Sequence, residues 1–456
     1  MRATRQQNPA RPPNRTLRAL LGEAGWSGAR FAREINAVAA AHGLGVSYDR
    51  TAVSHWLAGT RPRPPVPEIA AEVLSRRLGR SVVAPDTGLA APHDHHDTDR
   101  TARGGGSALD DLERLGALAD RRDAARTGVF SVAPLLLPGW DSLLPSVVPA
   151  ARAAAPAPPD ARSATLLLSL FSRHEAAFGG GQVRDPLRSY LATTVTSWLR
   201  QPTAPRVRGE LLTVANQLTY LCAFTHFDAN LQAHAQQYYL TGINLAREAG
   251  DRVGFALGAR GLSVQALSLG HVREADKLAE LAVRVGAPQA PAHQQALLLG
   301  HLAVTQAHLG NRRAAARHLI DSEKRLEASD SSPTPVGAFH SSSLALQHAA
   351  VARAQSDHAL EARHLESSLR GRPPEENRAR SISLATLAEA QLNEGHLDRA
   401  CRTWSAFLDL YGDVSSARVH DHLRVLISRL RPHAAHRLVP NVLDRARSLA
   451  AQHAAH

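Results

Sequence analysis

The sequence contains few cysteines and few aromatic residues. Only Cys222 and Cys401 occur among 456 residues, and they lie far apart, which excludes a disulfide framework and a cysteine-based zinc site. Aromatic residues make up 4% of the chain, while 44% of it is hydrophobic, dominated by alanine and leucine. Because β-branched stretches are also rare, this composition favours helices over sheets and predicts an all-α fold.

Lysine is almost absent, since it occurs only at Lys277 and Lys324, and arginine therefore supplies nearly all of the net charge of +12. Arginine makes bidentate contacts to phosphate and guanine, so a polyanion such as nucleic acid is the expected partner class. A GC-rich coding bias explains the same composition, because the arginines are spread along the whole chain. Both interpretations stay open on composition alone.

Motifs of common enzymes are missing as well. The sequence has no P-loop, no nucleophile elbow, no H-E-x-x-H and no dinucleotide fingerprint behind a strand. The run from Gly179 to Gln182 predicts only a helix break, and the 24 histidines are expected at helix surfaces and turns. We therefore expect no enzymatic activity and no cofactor.

The amino terminus is polar and basic, with no apolar run behind it, which predicts neither a signal peptide nor a membrane anchor. A cytoplasmic location without membrane contact is the expectation. Composition then divides the chain into five segments. These are a disordered basic arm over residues 1–13, a compact domain of several helical segments over 14–80, a flexible linker over 81–107, a lead-in segment over 108–160 and a repeat domain over 161–456.

The predicted linker contains a histidine and aspartate cluster, His93 to Asp97, whose side chains are of the types that bind metals. A solvated linker is the other interpretation of the same residues. We expect no metal there, because a flexible segment has no scaffold to hold ligand geometry.

Five related turns recur in the second half of the chain. They end at Ala233, Ala275, Ala315, Ala362 and Ala400, with spacings of 42, 40, 47 and 38 residues. An alanine- and leucine-rich helical segment precedes each turn, and an amphipathic one follows it. The pattern predicts an α-solenoid of helix pairs, in which the small alanine lets paired helices approach closely.

Residues 14–80 predict four helices, at about 15–24, 28–42, 50–58 and 66–79. The third would bury Val53, Trp56 and Leu57 and present polar side chains elsewhere. In a helix-turn-helix the first residues of the recognition helix meet base edges, and a following arginine loop is suited to backbone phosphates. The candidate DNA-binding residues are Ser27, Arg30, Arg50, Thr51, Ser54, His55, Arg61 and Arg63. A small helical bundle with a solvated polar face is the alternative.

The segments FAREIN and VSHWLAGTRPRPP resemble the helix-turn-helix of lambda-repressor-like (XRE-type) regulators, with Ser54, Trp56 and Gly59 matching their Ser-x-Trp-x-x-Gly pattern. The repeats, with glycine at positions 270, 310 and 395, are similar to tetratricopeptide repeats. The whole chain thus resembles actinobacterial (Streptomyces-type) transcriptional regulators that join these two parts.

This resemblance implies a regulator that binds double-stranded DNA, acts in control of differentiation or antibiotic production, and receives a protein or peptide partner on its repeats. It also implies a homodimer, since helix-turn-helix proteins read paired half-sites. The alternative is a repeat scaffold that acts through protein contacts without DNA. A small-molecule site is not expected, because the repeat helices show no aromatic cluster or convergent charges in the sequence.

Overall fold

The structure is a computed structural model that describes residues 12–41, 44–80, 82–90, 107–117, 130–135, 140, 144–145, 159–329 and 336–454. All regular secondary structure in these residues is helical, which confirms the all-α prediction. The chain divides into two compact units, Met1–Gly105 with Leu118–Pro138 and Gly106–Ala117 with Gly139–His456. Most of the predicted basic arm, most of the predicted linker and the whole histidine and aspartate cluster lie outside the described residues.

The first unit contains α1 (Arg15–Ala24), α2 (Gly28–Ala41), α3 (Arg50–Leu57) and α4 (Val66–Leu78), within one residue of the predicted bounds. The Asn14 side chain caps α1 by accepting from the Leu17 amide at 2.9 Å. The four helices bury a shared apolar core.

This unit continues past the predicted boundary at residue 80. Val82 and Leu89 are buried in the same core, and the side-chain amide group of Asn14 donates to the Thr87 carbonyl at 2.9 Å. The Val132 amide also donates to the Glu72 carboxylate, at 2.8 Å, so part of the predicted lead-in belongs to this unit. Apolar and polar contacts thus hold to this unit two segments that look like linker or lead-in by composition.

The second unit begins with α5 (Ala108–Ala117) and α6 (Pro159–Phe178). A π-helical segment, Leu191–Val195, then joins α7 (Arg184–Tyr190) to α8 (Thr196–Arg200). Five successive helix pairs follow, and each helix packs mainly against its pair partner and then against the next pair. The pairs are α9 (Pro205–Asp228) with α10 (Gln232–Ala249), α11 (Arg252–Ser268) with α12 (Val272–Gly286), α13 (Ala292–His308) with α14 (Arg312–Glu327), α15 (Ser341–Ala354) with α16 (His358–Gly371), and α17 (Asn377–Asn393) with α18 (Leu397–Tyr411). The last helices are α19 (Ala417–Leu430) and α20 (Val439–Ala454).

The five turns within these pairs share one backbone conformation. Each has a left-handed residue, with φ between 59° and 87°, and the residues are Asn230, Gly270, Gly310, Ser356 and Gly395. The next amide in each turn donates to a helix carbonyl five residues earlier, at 2.8 to 3.0 Å. This hydrogen bond closes the end of the first helix and confirms the predicted turns.

The alanines predicted to allow close helix approach are buried, with one exception. Ala275, Ala315 and Ala400 are completely buried, and Ala233 is 7% exposed. Ala362 is only partly buried. The solenoid-like packing of successive pairs is therefore observed, with one looser contact.

The second unit closes on itself. Helix α6 packs against both α9 and α17, and the Ser415 amide donates to the Phe178 carbonyl at 2.7 Å. The glycine run after Phe178 does break the helix, as predicted. It also permits close contact, since a Cβ at Gly179 would lie 2.5 Å from the Ser415 carbonyl oxygen. The end of α6 is thus in direct contact with the segment that leads from the fifth pair into α19.

Several histidines do not occupy the surfaces and turns where the sequence predicted them. His226 and His301 are 3% and 4% exposed. His226 contacts the Cys222 carbonyl at 2.8 Å, and burial lowers its pKa to about 3. The prediction was wrong for these two because local sequence does not show which face of a helix a neighbouring pair covers. Across the described ranges, no helix is both long and apolar enough to cross a membrane.

Candidate nucleic-acid interface

Helix α3 starts at a well-formed cap. The Asp49 carboxylate accepts from the Ala52 amide at 2.9 Å, and this hydrogen bond lowers the pKa of Asp49. At the other end the Ala58 amide donates to the Ser54 carbonyl, and Gly59 has a φ of 103°. The cap and the glycine together set the length of the helix to little more than two turns.

One face of α3 holds it to the rest of the unit. Val53 is completely buried, and Trp56 is 4% exposed and packs edge-on against Tyr48, with ring centroids 5.1 Å apart. A Cβ on Gly28 would lie 3.3 Å from the Val53 side chain, so α2 begins in close contact with α3. Trp56 is therefore a core residue, as predicted.

The connection between α2 and α3 is held by Asn36, a residue that is not among the candidate site residues. The Asn36 amide group donates to the Tyr48 carbonyl and its oxygen accepts from the Tyr48 amide, both at 2.8 Å. One feature of the sequence could have pointed to this residue, namely that it is an asparagine inside a predicted helix. Asparagine is unfavourable in helix interiors unless its side chain has a hydrogen-bond partner. These two bonds keep the long turn in a defined position ahead of α3.

The other face of α3 is polar and exposed. Arg50, Thr51, Ser54 and His55 are all exposed, so the structure brings together the four residues that the sequence placed on this helix. The Ser54 hydroxyl donates to the Arg50 carbonyl at 3.0 Å, which leaves its oxygen available to accept. A short helix with this face is chemically suited to base edges, because it combines charged donors with mixed donors and acceptors.

The loop after α3 carries Arg61 and Arg63, and both are exposed. Within the described part of the chain, neither these two arginines nor Arg50 has an acidic side chain at ion-pair distance. Acidic side chains on the other helices of this unit do have arginine partners. Glu23 pairs with Arg80 at 2.7 Å, and Glu72 pairs with Arg76 at 2.8 Å. Arg50, Arg61 and Arg63 thus form an exposed cationic stretch without acidic partners on α3 and the loop that follows it.

Two predicted residues lie at the start of α2. The Ser27 hydroxyl accepts from the Arg30 backbone amide at 3.3 Å, as a residue that caps the start of a helix does. The Arg30 side chain lies 5.7 Å from the Trp26 ring centroid and 3.6 Å from the Glu34 carboxylate. Together with Arg77, whose guanidinium is 5.9 Å from the same ring, it borders a groove between α2 and α4. Arg30 is therefore already engaged by neighbours, unlike Arg50.

No group of three or more histidine, cysteine, aspartate or glutamate side chains in the described ranges is arranged to hold a metal ion. Cys222 and Cys401 are both free and buried. The geometry of the first unit is thus that of a polar and cationic surface, built on a compact apolar core.

Residues 17–90 are similar to the SP15 N-terminal domain, whose family model matches them. This range coincides with the core of the first unit, which runs from Leu17 to Leu89 and includes the segment beyond residue 80. The match covers well under half of the chain and concerns its first unit alone. The comparison with curated proteins gives no match.

Proposed function

We propose that the chain is a DNA-binding transcriptional regulator. In this proposal α2 and α3 act as a helix-turn-helix, with α3 entering the major groove of promoter DNA. The second unit is a tetratricopeptide-like array that receives a protein or peptide partner or another effector. The resemblance to actinobacterial regulators of differentiation or antibiotic production supports this assignment.

One observation carries the proposal, namely the exposed polar face of α3 beside an arginine loop without acidic partners. Arg50 lies at the first turn of α3, which is where recognition helices meet base edges, and its guanidinium fits the two acceptors of guanine. Arg61 and Arg63 follow on an exposed loop, where arginine supplies the phosphate contacts that dominate affinity. Buried Val53 and Trp56 give this surface a rigid support.

The experiment is a selection of preferred DNA sites with the full chain, followed by gel shifts of the selected site and a scrambled site. We expect Arg50→Ala to weaken binding to the selected site by about 5- to 150-fold, which corresponds to roughly 1–3 kcal/mol for a bidentate base contact. His55→Ala should change the base preference. Neither variant should alter the residual, salt-sensitive binding to scrambled DNA by a comparable factor.

Arg80→Ala is the matched control, because it removes the same charge from an arginine that pairs with Glu23 away from α3. If affinity follows net charge alone, Arg50→Ala and Arg80→Ala will weaken binding equally, and α3 is not a recognition helix. If no DNA site is selected at all, the scaffold alternative takes precedence, in which the first unit makes protein contacts. Circular dichroism of each variant checks that the helices persist.

A further inference from the structure

A groove lies between α2 and α4 in the first unit. Its volume is about 330 Å³, at the lower end of the range of ligand pockets, which is roughly 300–1,000 Å³. Trp26, Val38 and Val73 give it an apolar lining, and arginines of both helices stand at its edges. We call it the α2–α4 groove. An apolar surface bordered by cations is suited to a ligand that combines an apolar group with an anionic one.

The groove lies on the side of α2 away from α3. Arg30, Glu34 and Ala37 line it and recur at the spacing of one helix face. Gly28, whose position contacts Val53 of α3, lies roughly 200° around the helix from Arg30. The groove is therefore a surface separate from the polar face of α3.

The charged side chains at the groove do not balance. The Arg30 guanidinium lies 3.6 Å from the Glu34 carboxylate. Arg76 lies 2.8 Å from Glu72, a carboxylate that is completely buried. Arg77 is exposed and has no acidic side chain at ion-pair distance in the described ranges. Three arginines thus share two carboxylates, and Arg77 is the one without a partner of opposite charge.

Arg77 is held in place by a backbone carbonyl and by a ring. Its Nε donates to the Ala24 carbonyl at 2.9 Å, and its guanidinium carbon lies 5.9 Å from the Trp26 ring centroid. These contacts orient the guanidinium and leave the N–H groups of its two terminal nitrogens for an anion. The Arg30 guanidinium lies 5.7 Å from the same centroid, so cations from α2 and α4 meet at one indole.

Trp26 also has a hydrogen-bond donor without a partner. Its Nε1 is buried and has no acceptor in the part of the chain that the structure describes. A buried indole N–H usually has a partner, because leaving the donor unpaired costs free energy. An occupant of the groove can supply the missing acceptor when the side chains beside the ring adjust.

We propose that the α2–α4 groove is a docking site for a peptide segment of a partner protein, in which an aspartate or glutamate stands beside a large apolar side chain. The carboxylate pairs with Arg77, and the apolar side chain packs on Trp26 and Val38. A peptide suits the groove because it follows α2 from Arg30 to Val38, about 12 Å, and its arginine edges are exposed. The inference goes beyond the proposed function, since this ligand is not DNA and does not contact α3.

The first test is a selection from a displayed library of random peptides against the full chain. The library is first depleted on Ala37→Trp, because Ala37 is exposed and lines the groove, and an indole there would fill it. We expect the peptides that then bind the wild type to be enriched in aspartate or glutamate next to leucine, phenylalanine or tryptophan. A selection that gives no binder, or only binders without an acidic residue, overturns the proposal.

A labelled synthetic copy of the most enriched peptide is then titrated with each variant and followed by fluorescence anisotropy. We expect Arg77→Gln to raise the Kd by about fivefold or more, because it removes a charged donor. Arg33→Gln is the matched control, since Arg33 is an exposed arginine of α2 that does not line the groove, and it should bind as the wild type does.

Arg30→Gln is a second groove variant that leaves the bond from Arg77 to Ala24 intact. It should raise the Kd by about twofold or more, and it decides the outcome if circular dichroism shows that Arg77→Gln is unfolded. The proposal is overturned if the folded groove variants bind the peptide as tightly as Arg33→Gln does.

DNA is the competing occupant, because phosphates also bind arginine. In gel shifts on the selected DNA site, Arg77→Gln should bind as tightly as Arg33→Gln. If Arg77→Gln binds DNA more weakly and the DNA displaces the peptide, the groove belongs to the DNA interface and the proposal is overturned. Peptide binding by a chain that selects no DNA site rejects only the proposed regulator, whereas DNA binding without a groove peptide rejects only this inference.

Discussion

Two hydrogen bonds from one side chain hold the connection between α2 and α3. Asn36 bonds both the amide and the carbonyl of Tyr48, and Tyr48 in turn packs on Trp56. These contacts, from Asn36 through Tyr48 to Trp56, therefore link α2 to the buried face of α3. Sequence periodicity places Trp56 correctly, because burial of one helix face repeats every three or four residues. The same periodicity does not predict the role of Asn36, because that role depends on how close the connection between α2 and α3 brings Tyr48 to α2.

We expect Asn36→Ala to destabilise the first unit by about 1–3 kcal/mol, because it leaves two backbone groups of Tyr48 without partners. Hydrogen exchange of the full chain should show faster exchange at α3 than in the wild type. Arg33→Ala on the same helix is the control, since Arg33 is exposed and alanine favours helices. Equal exchange in the two variants would mean that the Tyr48 contact does not support α3.

At the scale of elements, five helix pairs reuse one turn. Glycine takes the left-handed position in three turns, while Asn230 and Ser356 take it in the others. Glycine is the residue that tolerates this conformation at least cost, and asparagine tolerates it better than most others. The repeat could therefore be predicted from aligned turns even where the glycine is absent.

Contacts between neighbouring helix pairs were less predictable. A Cβ on Gly261 of α11 would lie 2.3 Å from the Tyr239 ring on α10, so this glycine is required by a neighbouring pair. Gly209, near the start of α9, has nothing within 4 Å of the corresponding position. Both are glycines within helices, and the sequence alone does not distinguish them.

We expect Gly261→Ala to lower the free energy of unfolding by about 1–3 kcal/mol, because the methyl group overpacks the contact with Tyr239. Gly209→Ala should raise it by about 0.5–1 kcal/mol, because alanine restricts the unfolded chain and favours the helix. Urea unfolding of the full chain measures both. A stabilising effect of both substitutions would show that α10 and α11 can separate at no cost.

At the scale of the second unit, closure depends on a few polar contacts between distant parts of the chain. Arg378 of α17 pairs with Glu175 of α6 and lies near Asp228 of α9, while Asn230 donates to Asp421 of α19 at 2.7 Å. Burying these charges costs free energy that their attraction only partly offsets. Burial raises the pKa of Glu175 to about 7, in spite of the Arg378 neighbour.

The raised pKa predicts a pH dependence with a definite sign. Below pH 4.5, the ordinary value, the Glu175 carboxyl is protonated whether the chain is folded or unfolded, and its contribution to stability is fully present. As the pH rises through about 7, the folded chain must ionise a buried group, and that contribution is lost. We therefore expect Glu175→Gln to match the wild type at low pH and to exceed its stability at pH above 7 by up to about 3 kcal/mol.

Urea unfolding of the wild type and Glu175→Gln across this pH range gives the difference directly. His226 titrates in the same window with the opposite sign, since its pKa is lowered, but it is common to both proteins and cancels. A difference that stays constant with pH would show that Glu175 remains ionised beside Arg378.

The sequence by itself determined the helical class, the bounds of the first four helices and the positions of the five turns. It also determined that Val53 and Trp56 are buried and that the polar residues of α3 are exposed. These features follow from local rules, because a helix face repeats within a few residues and a cap or left-handed turn involves adjacent positions. The function of that face remains a prediction from resemblance and chemistry.

Only the tertiary structure decided how far the first unit extends, which side chain holds Tyr48, which histidines are buried and which carboxylates Arg378 contacts. Leu89 joins a core that begins at Leu17, and Arg378 of α17 meets Glu175 of α6 and Asp228 of α9 because the helix array closes on α6. Each of these facts depends on contacts between residues distant in the chain. Local hydrophobic patterns specify that a face is buried, but they do not specify what covers it.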